Sequence, residues 1–548
     1  MENDRFYQKM KELIYPVGTP QLNESNSILL WTARLKDIPN CIDEIFRLRF
    51  VRFSKRTKNF RIFRPLIEYL FRNRRFISLT EYQNIFKDKA STKDFKELKK
   101  RYPAYKLFEI GSVNTRNRFI NSRSKNLDGY FEMMEWKNKK LRNIFNRSYP
   151  VRLPDSKGKH WYVVGGTGSG KSELLKHLMI QDIEKKDKAI ILIEPNGDLS
   201  EQIARQHCLE KDRLVYIDCS LPSDSPSINP FDLINIDNEL DIEKQSQVIR
   251  NAMIQIFAWV GQPITLQMQS VLQPCLEIVA KQRGTLLDLQ RFMVDGLNED
   301  LVAAGVQSQK HGEFFKYKFS ENNLLISRQG IYQKLMNLLN FSVFADFFCG
   351  KSTIDIRQAI EDKKVILFNL RKWKLGEYSS SYIGMMMVAI IQNLIFQRAN
   401  IPADQRIPLR IYIDEFQDFV SESSEQIFVQ GRKYHVGLSV ASQIVGQKMT
   451  TEMTKIVLWN TDIKFIGVNG YQSLSVMSRE TYTEIEKLNK LSVGRFFCKI
   501  FNGQSFVLEV PKDHLDSSTC VHVTNHQKCT TSLHQKCTTW QIKIRQCC

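Results

Sequence analysis

Cysteine pairs are missing from the body of this sequence: six of its 11 cysteines stand singly between Cys41 and Cys498, without a CxxC spacing, and the other five crowd into residues 520–548. A disulfide framework or a zinc ribbon in the body is thereby excluded, and reduced, buried thiols are expected. Long apolar runs are missing too. The longest, "YIGMMMVAIIQNLIF" from Tyr382, carries Gln392 and reads as too short to cross a bilayer. The opening "MENDRFYQKMKELIYP" lacks the apolar core of a secretory leader. The expectation is a cytoplasmic protein with no transmembrane segment of its own. Acidic excess is also absent: the formal net charge is +20, and the first 150 residues hold 33 Lys and Arg against 16 Asp and Glu, which leaves about +3 for the rest. One region therefore carries the basicity, and it suits nucleic acid, anionic lipid or an acidic protein.

What is present is an ordinary folded chain, 42% hydrophobic and 25% charged over 548 residues, with room for several domains. Residues 1–150 interleave basic and aromatic positions, as in "RLRFVRFSKRTKNFRIFRPLIEYLFRNRRF", and read as a basic, mostly helical domain with one or two early strands. Beyond "RSYPVRLPDSKGK" the texture changes. Short β-rich runs ("HWYVVG", "KAIILIE", "RLVYID") alternate with polar helical segments over 151–235, as in a sheet with crossover helices. Residues 236–355 lose strand character: Met268, Leu272, Leu276 and Val279 recur at helical spacing, and "IYQKLMNLLNF" continues the pattern. Strands return over 356–512 with "KVILFNL", "LRIYID", "GLSVAS", "DIKFIG" and "QSFVLEV". The fold class expected is α/β, one domain interrupted by an all-α insertion.

The site lies in Gly165-Gly166-Thr167-Gly168-Ser169-Gly170-Lys171-Ser172, which satisfies GxxxxGK[ST] between an expected strand and an expected helix. The glycines let backbone N–H groups turn inward at a helix N-terminus and cradle phosphates. Lys171 is placed for the β- and γ-phosphates, and the Ser172 hydroxyl for Mg²⁺, so ATP and Mg²⁺ are the expected cofactors. In "LRIYIDEFQDF" an apolar strand delivers Asp414, a metal ligand, and Glu415, a base for an attacking water, to the strand end where ligands bind in α/β sheets. A second carboxylate beside the metal ligand favours hydrolysis over phosphoryl transfer to a metabolite. Arg432 in "QGRKYHVG" stands where a charge-stabilising arginine would follow, and equally suits a surface helix; Gln443 ends a buried-looking strand as a candidate phosphate-sensing amide. About 240 residues separate Lys171 from Asp414, and the helical insertion accounts for the excess.

"GGTGSGKS", "IEPNGDL", "INPFD", "YIDEFQDF", "GRKYHVGLSVASQ" and "SVGRFF" occur in an order that resembles the conjugative coupling ATPases of type IV secretion systems, the TraG/TraD-like group of the FtsK/HerA superfamily, over roughly residues 150–512. The resemblance implies a RecA-like P-loop motor with an inserted all-α domain, a homo-oligomeric ring that is commonly hexameric, and ATP-driven delivery of DNA, single-stranded or relaxase-bound, to a transfer channel. It would make Lys171, Ser172, Asp414 and Glu415 the ATPase centre, Gln443 the sensor and Arg432 the arginine finger offered to a neighbouring subunit. Glu194 keeps the acidic residue many members carry there, whereas Asn196 replaces a more usual histidine. The membrane anchor typical of coupling proteins is replaced by the basic first 150 residues, so either a membrane-anchored channel protein recruits this ATPase to the inner face of the membrane, or it is a soluble motor for segregation, end processing or packaging. A third reading is an ATP-switched recruiter of a DNA–protein complex.

Residues 513–548 read as a low-complexity tail. His526, Cys529, His534 and Cys537 offer zinc-binding side chains, but the two HxxC pairs enclose only four residues, a poor spacing for a zinc module.

Overall fold

A computed structural model describes residues 27–34, 148–154, 158–501 apart from 207, 222–225 and 260–262, and 505–510. The rest of the basic N-terminal region and the Cys/His tail lie outside the described residues. The chain divides into two units, one made of Met1–Pro154 with Arg495–Pro511 and one containing Asp155–Gly494. In the first, β1 (Ser27–Arg34) pairs antiparallel with β2 (Ser148–Pro154).

The second unit is built on parallel strands: β3 (Trp161–Val164), β4 (Ala189–Glu194), β5 (Leu214–Asp218), β6 (Val365–Asn369), β7 (Leu409–Ile413), β8 (Val436–Ser442) and β9 (Ile463–Ile466). They lie side by side in the order β9-β3-β8-β7-β4-β6-β5. Their registers place Tyr162 beside Val440 and Ile191 beside both Ile366 and Ile411. Every residue of β3, β4, β6, β7, β8 and β9 is buried, which is why these strands read as continuous apolar runs rather than alternating ones: helices cover both faces of a parallel sheet. Because all these strands point the same way, one edge of the sheet collects every strand's C-terminal end. The first unit's remaining strands, β10 (Arg495–Ile500) and β11 (Ser505–Glu509), form an antiparallel hairpin.

The principal helices of the second unit are α1 (Lys171–Lys185), α2 (Asp198–Ala204), α3 (Glu239–Trp259), α4 (Leu266–Lys281), α5 (Asn322–Leu339), α6 (Glu377–Gln397), α7 (Glu422–Gln430), α8 (Thr451–Asn460) and α9 (Tyr471–Thr481). Between β5 and β6 the described residues are helical or irregular, with α3, α4 and α5 burying Ile249, Met253 and Ile256, Leu272, Leu276 and Val279, and Ile331, Leu335 and Leu338 at helical spacing.

Helix α6 corrects one expectation. The run from Tyr382 extends back to Glu377 through polar residues, and the helix is long and apolar enough to cross a membrane by length and composition alone. It is instead the central core helix, buried continuously from Ser379 to Ile395. Such all-round apolar character marks a helix enclosed by protein as readily as one enclosed by lipid. Among the described residues Cys208, Cys219, Cys275, Cys349 and Cys498 are unpaired thiols, as the spacing suggested.

Candidate nucleotide-binding site

At the end of β3 the chain turns through the glycine loop, anchored from two sides. Gly165 N–H donates to the Ser442 carbonyl at the end of β8 (3.2 Å), and Gly166 N–H to the Val468 carbonyl just past β9 (2.7 Å). A side chain at Gly165 would have its Cβ 2.5 Å from Ser169 Oγ and 3.2 Å from Ser169 Cβ, so anything larger than glycine there must displace Ser169. Gly170, at φ 97°, caps α1 without a side chain, leaving the first N–H groups of a 15-residue helix open to an anion. Lys171 is buried and folds back over the loop, its Nζ 3.4 Å from the Gly166 carbonyl. Ser169 Oγ is buried without a hydrogen-bond partner, a polar group aimed at nothing the protein supplies. Thr167 and Gly168 complete the loop at its exposed rim.

Strand β7 delivers the acidic half. Ser172 Oγ donates to Asp414 Oδ2 (2.8 Å), joining the two motifs across 242 positions of sequence. Asp414 is buried; burial raises the pKa of its carboxyl, the Glu415 charge adds to the rise, and the Ser172 bond opposes it. Glu415 sits in the left-handed region at φ 49°, where a non-glycine residue costs about 1–3 kcal/mol, a strain of the sort that collects at functional sites. Its carboxylate is held at both oxygens: Gln443 Nε2 donates to Oε1 (3.0 Å) and Gln417 Nε2 to Oε2. Asn469 in turn donates to the Gln443 carbonyl (2.7 Å).

Glu194, the last residue of β4, is a further buried carboxylate at this edge. It accepts from Gly197 N–H (2.8 Å), Ser200 N–H (3.0 Å) and Ser200 Oγ (2.7 Å). Burial raises its pKa, the two bonds from Ser200 pull it down, and the charge of Asp414 pushes it up again. Three carboxylates thus converge, with Lys171 the cation that eases Asp414. Among the described residues no cluster of three His, Cys, Asp or Glu could hold a metal unaided. The donor set of Ser172 hydroxyl and Asp414 carboxylate fits a hard cation such as Mg²⁺, which completes its shell with water and phosphate oxygens.

The structure brings Gly165 to Ser172, Asp414, Glu415 and Gln443 together, and does not bring Arg432 to them. Arg432 lies in the turn Gly431–Tyr434 before β8, at the opposite end of that strand from Gln443, roughly 20 Å of extended chain away. Its side chain is 55% exposed, and its Nη2 donates to Asp462 Oδ2 (2.7 Å), an oxygen that also accepts His160 N–H (2.9 Å). Gln417, two residues beyond Glu415 in "DEFQ", belongs to the site as well, a role that only its place in that motif hints at in the sequence.

Residues 145–390 match the family model described as "Helicase HerA, central domain". The structure is similar to that of the bacterial conjugative coupling protein TrwBdeltaN70, with a TM-score of 0.51 and 16% identity, covering 66% of this chain and 87% of that one. Other matches are TrwB in complex with ADP and Mg²⁺ (TM-score 0.48, 15% identity, 64% and 86% covered) and VirB4 of Thermoanaerobacter pseudethanolicus (TM-score 0.46, 16% identity, 65% and 90% covered). No curated protein matches the sequence. The fold shared with TrwBdeltaN70 is the RecA-like α/β fold of P-loop NTPases.

Proposed function

We propose that this protein is an ATP-hydrolysing DNA motor of the coupling-protein type, acting as a ring and delivering single-stranded or relaxase-bound DNA to a secretion channel. The observation that carries the reading is the joined site, Ser172 to Asp414 to Glu415, at the strand ends of a domain with the TrwBdeltaN70 fold. The basic first 150 residues supply the charge that a DNA-handling protein needs.

The residues divide the work of hydrolysis. The open N–H groups of the glycine loop and of the first turn of α1 receive the phosphates, and Lys171, lifted from the Gly166 carbonyl, neutralises the β- and γ-oxygens. Bound Mg²⁺, held by Ser172 and by Asp414 directly or through water, would supply charge neutralisation across the β- and γ-phosphates. Glu415 accepts the proton of the attacking water. Each of its oxygens gives one lone pair to an amide, Gln443 or Gln417, and keeps another for the water, so the amides aim the base without blocking it. Gln443, tied through Asn469, would report the state of the γ-phosphate to the end of β9. Arg432 would complete the site of the adjacent subunit.

The test is steady-state ATP turnover of the full chain without DNA, with single-stranded DNA and with duplex, beside Glu415→Gln. Turnover stimulated by DNA in the wild type, with Glu415→Gln reduced at least about a hundredfold yet still binding nucleotide, is the expected result. Slow turnover indifferent to any DNA would replace the motor with an ATP-switched recruiter.

A further inference from the structure

The chain leaves β6 into "RKWKLGEY", Arg371–Tyr378, and none of these eight residues is buried. Trp373 is 71% exposed at the tip of the one-turn helix Lys372–Leu375, and Tyr378 is 60% exposed below it. Lys374 Nζ stands 5.2 Å from the centre of the Trp373 ring. Gly376, at φ 82°, reverses the chain with open space where a Cβ would lie. A second segment packs alongside: Lys448 Nζ lies 2.9 Å from Asp418 Oδ1, 3.4 Å from Glu377 Oε1 and 5.1 Å from the centre of the Trp259 ring. Lys372 Nζ reaches the other oxygen of Asp418 at 3.4 Å. The patch therefore combines two tryptophans, each with a lysine over its ring, and three ammonium groups, of which Lys372 and Lys448 are paired with Asp418 and Lys448 also with Glu377.

We propose that this patch is the contact for single-stranded DNA, with an unpaired base stacking on Trp373, phosphates drawing Lys372 and Lys448 from their carboxylates, and Lys374 beside the ring adding a further charge. This rests on the DNA-motor reading and gives that reading a place on the domain. The chemistry selects the form of DNA. A flat ring flanked by lysines offers stacking and charge, which an unpaired strand accepts through its base faces, while a duplex presents only base edges and phosphates.

The tip is also braced against both acidic loops of the nucleotide site. Leu370 N–H donates to the Glu194 carbonyl (3.0 Å) and Lys372 N–H to the Pro195 carbonyl (2.8 Å). Asp418, which anchors both lysines, donates its N–H to the Glu415 carbonyl (2.9 Å). A strand pulling on the tip thus loads the backbone that carries Glu194 and Glu415.

The experiment uses the full chain with a non-hydrolysable ATP analogue, following the anisotropy of a fluorescent oligothymidylate and of a duplex of equal length. Trp373→Ala should weaken oligothymidylate binding by about ten- to a hundredfold while Trp373→Phe retains most of it, and Lys374→Ala should lower the salt dependence by about one phosphate contact. ATP turnover without DNA, across protein concentrations, should match the wild type for all three, because none touches the nucleotide. Unchanged oligothymidylate binding by Trp373→Ala overturns the proposal and leaves the motor reading standing. So does a shift of the DNA-free concentration dependence, which would make the tip a contact between subunits. A wild type that binds neither DNA overturns both.

Discussion

At Asp414 the needs of folding and of nucleotide binding conflict. Burial pushes its pKa up, so the ionised form that a cation requires is the form the empty fold disfavours. Asp414→Asn removes that charge while keeping both bonds: the amide oxygen can face Glu415 N–H, and the amide N–H₂ can donate to Ser172 Oγ. The nucleotide-free variant should therefore melt at the same temperature as the wild type or above it at pH 7–8. The sign follows from linkage. A carboxyl whose pKa is higher folded than unfolded favours the fold below its unfolded pKa, and loses that contribution as pH rises through the folded value. The advantage of the variant should accordingly shrink in acid. Mg²⁺ with a non-hydrolysable ATP analogue should raise the melting temperature of the wild type and not that of the variant. Thermal melts at two pH values, with and without nucleotide, read all of this; an Asn variant that melts well below wild type without nucleotide would show that the charge stabilises the empty fold.

Helix α6 shows how an element can depend on a single atom's worth of space. A Cβ at Gly384 would lie 2.2 Å from the Phe419 ring, and Phe419 follows the Glu415 segment directly. Gly384→Ala should cost about 1–3 kcal/mol through overpacking, despite the better helix propensity of alanine, and Phe419→Leu in the same chain should recover part of it. Urea unfolding measures both; a stabilised Gly384→Ala would mean the ring moves freely and carries no strain to Glu415. The contrast with the strands explains what could be read beforehand. β3, β4 and β7 announced themselves because a strand covered on both faces must be apolar throughout, and the glycine loop did so because its backbone admits few substitutes. The start of α6 did not, since "EYSSS" is polar yet its serines are buried by neighbours distant in sequence. Gln417 and the Trp373 tip were hidden for the same reason. An amide's partner and a tryptophan's exposure are set by packing, and neither leaves a periodic trace in the chain.

Over the whole molecule, Arg432 in its proposed role bears on whether one chain could hydrolyse ATP alone. It is only 18 positions beyond Asp414 in sequence, yet parallel strands put it at the edge where β8 begins, while the glycine loop, Asp414 and Gln443 share the edge where strands end. Within one chain it is occupied with Asp462, half exposed, and far from any phosphate the loop could hold. For Arg432 to act in hydrolysis as proposed, it would have to act on a second copy arranged head to tail, the arrangement that closes into rings. That proposal makes a prediction that no single variant can. Lys171→Ala spoils a subunit's own nucleotide site and leaves its Arg432 intact; Arg432→Ala does the reverse. Each alone should be inactive. Mixed in equal amounts and allowed to exchange, they should recover turnover up to roughly a quarter of wild type, because random assembly places an intact loop beside an intact arginine at about one interface in four. Co-assembly is checked in the same samples by cross-linking. If mixed oligomers form and turnover stays at the level of the separate variants, the arginine does not cross the interface, and Arg432 belongs to the Asp462 ion pair alone.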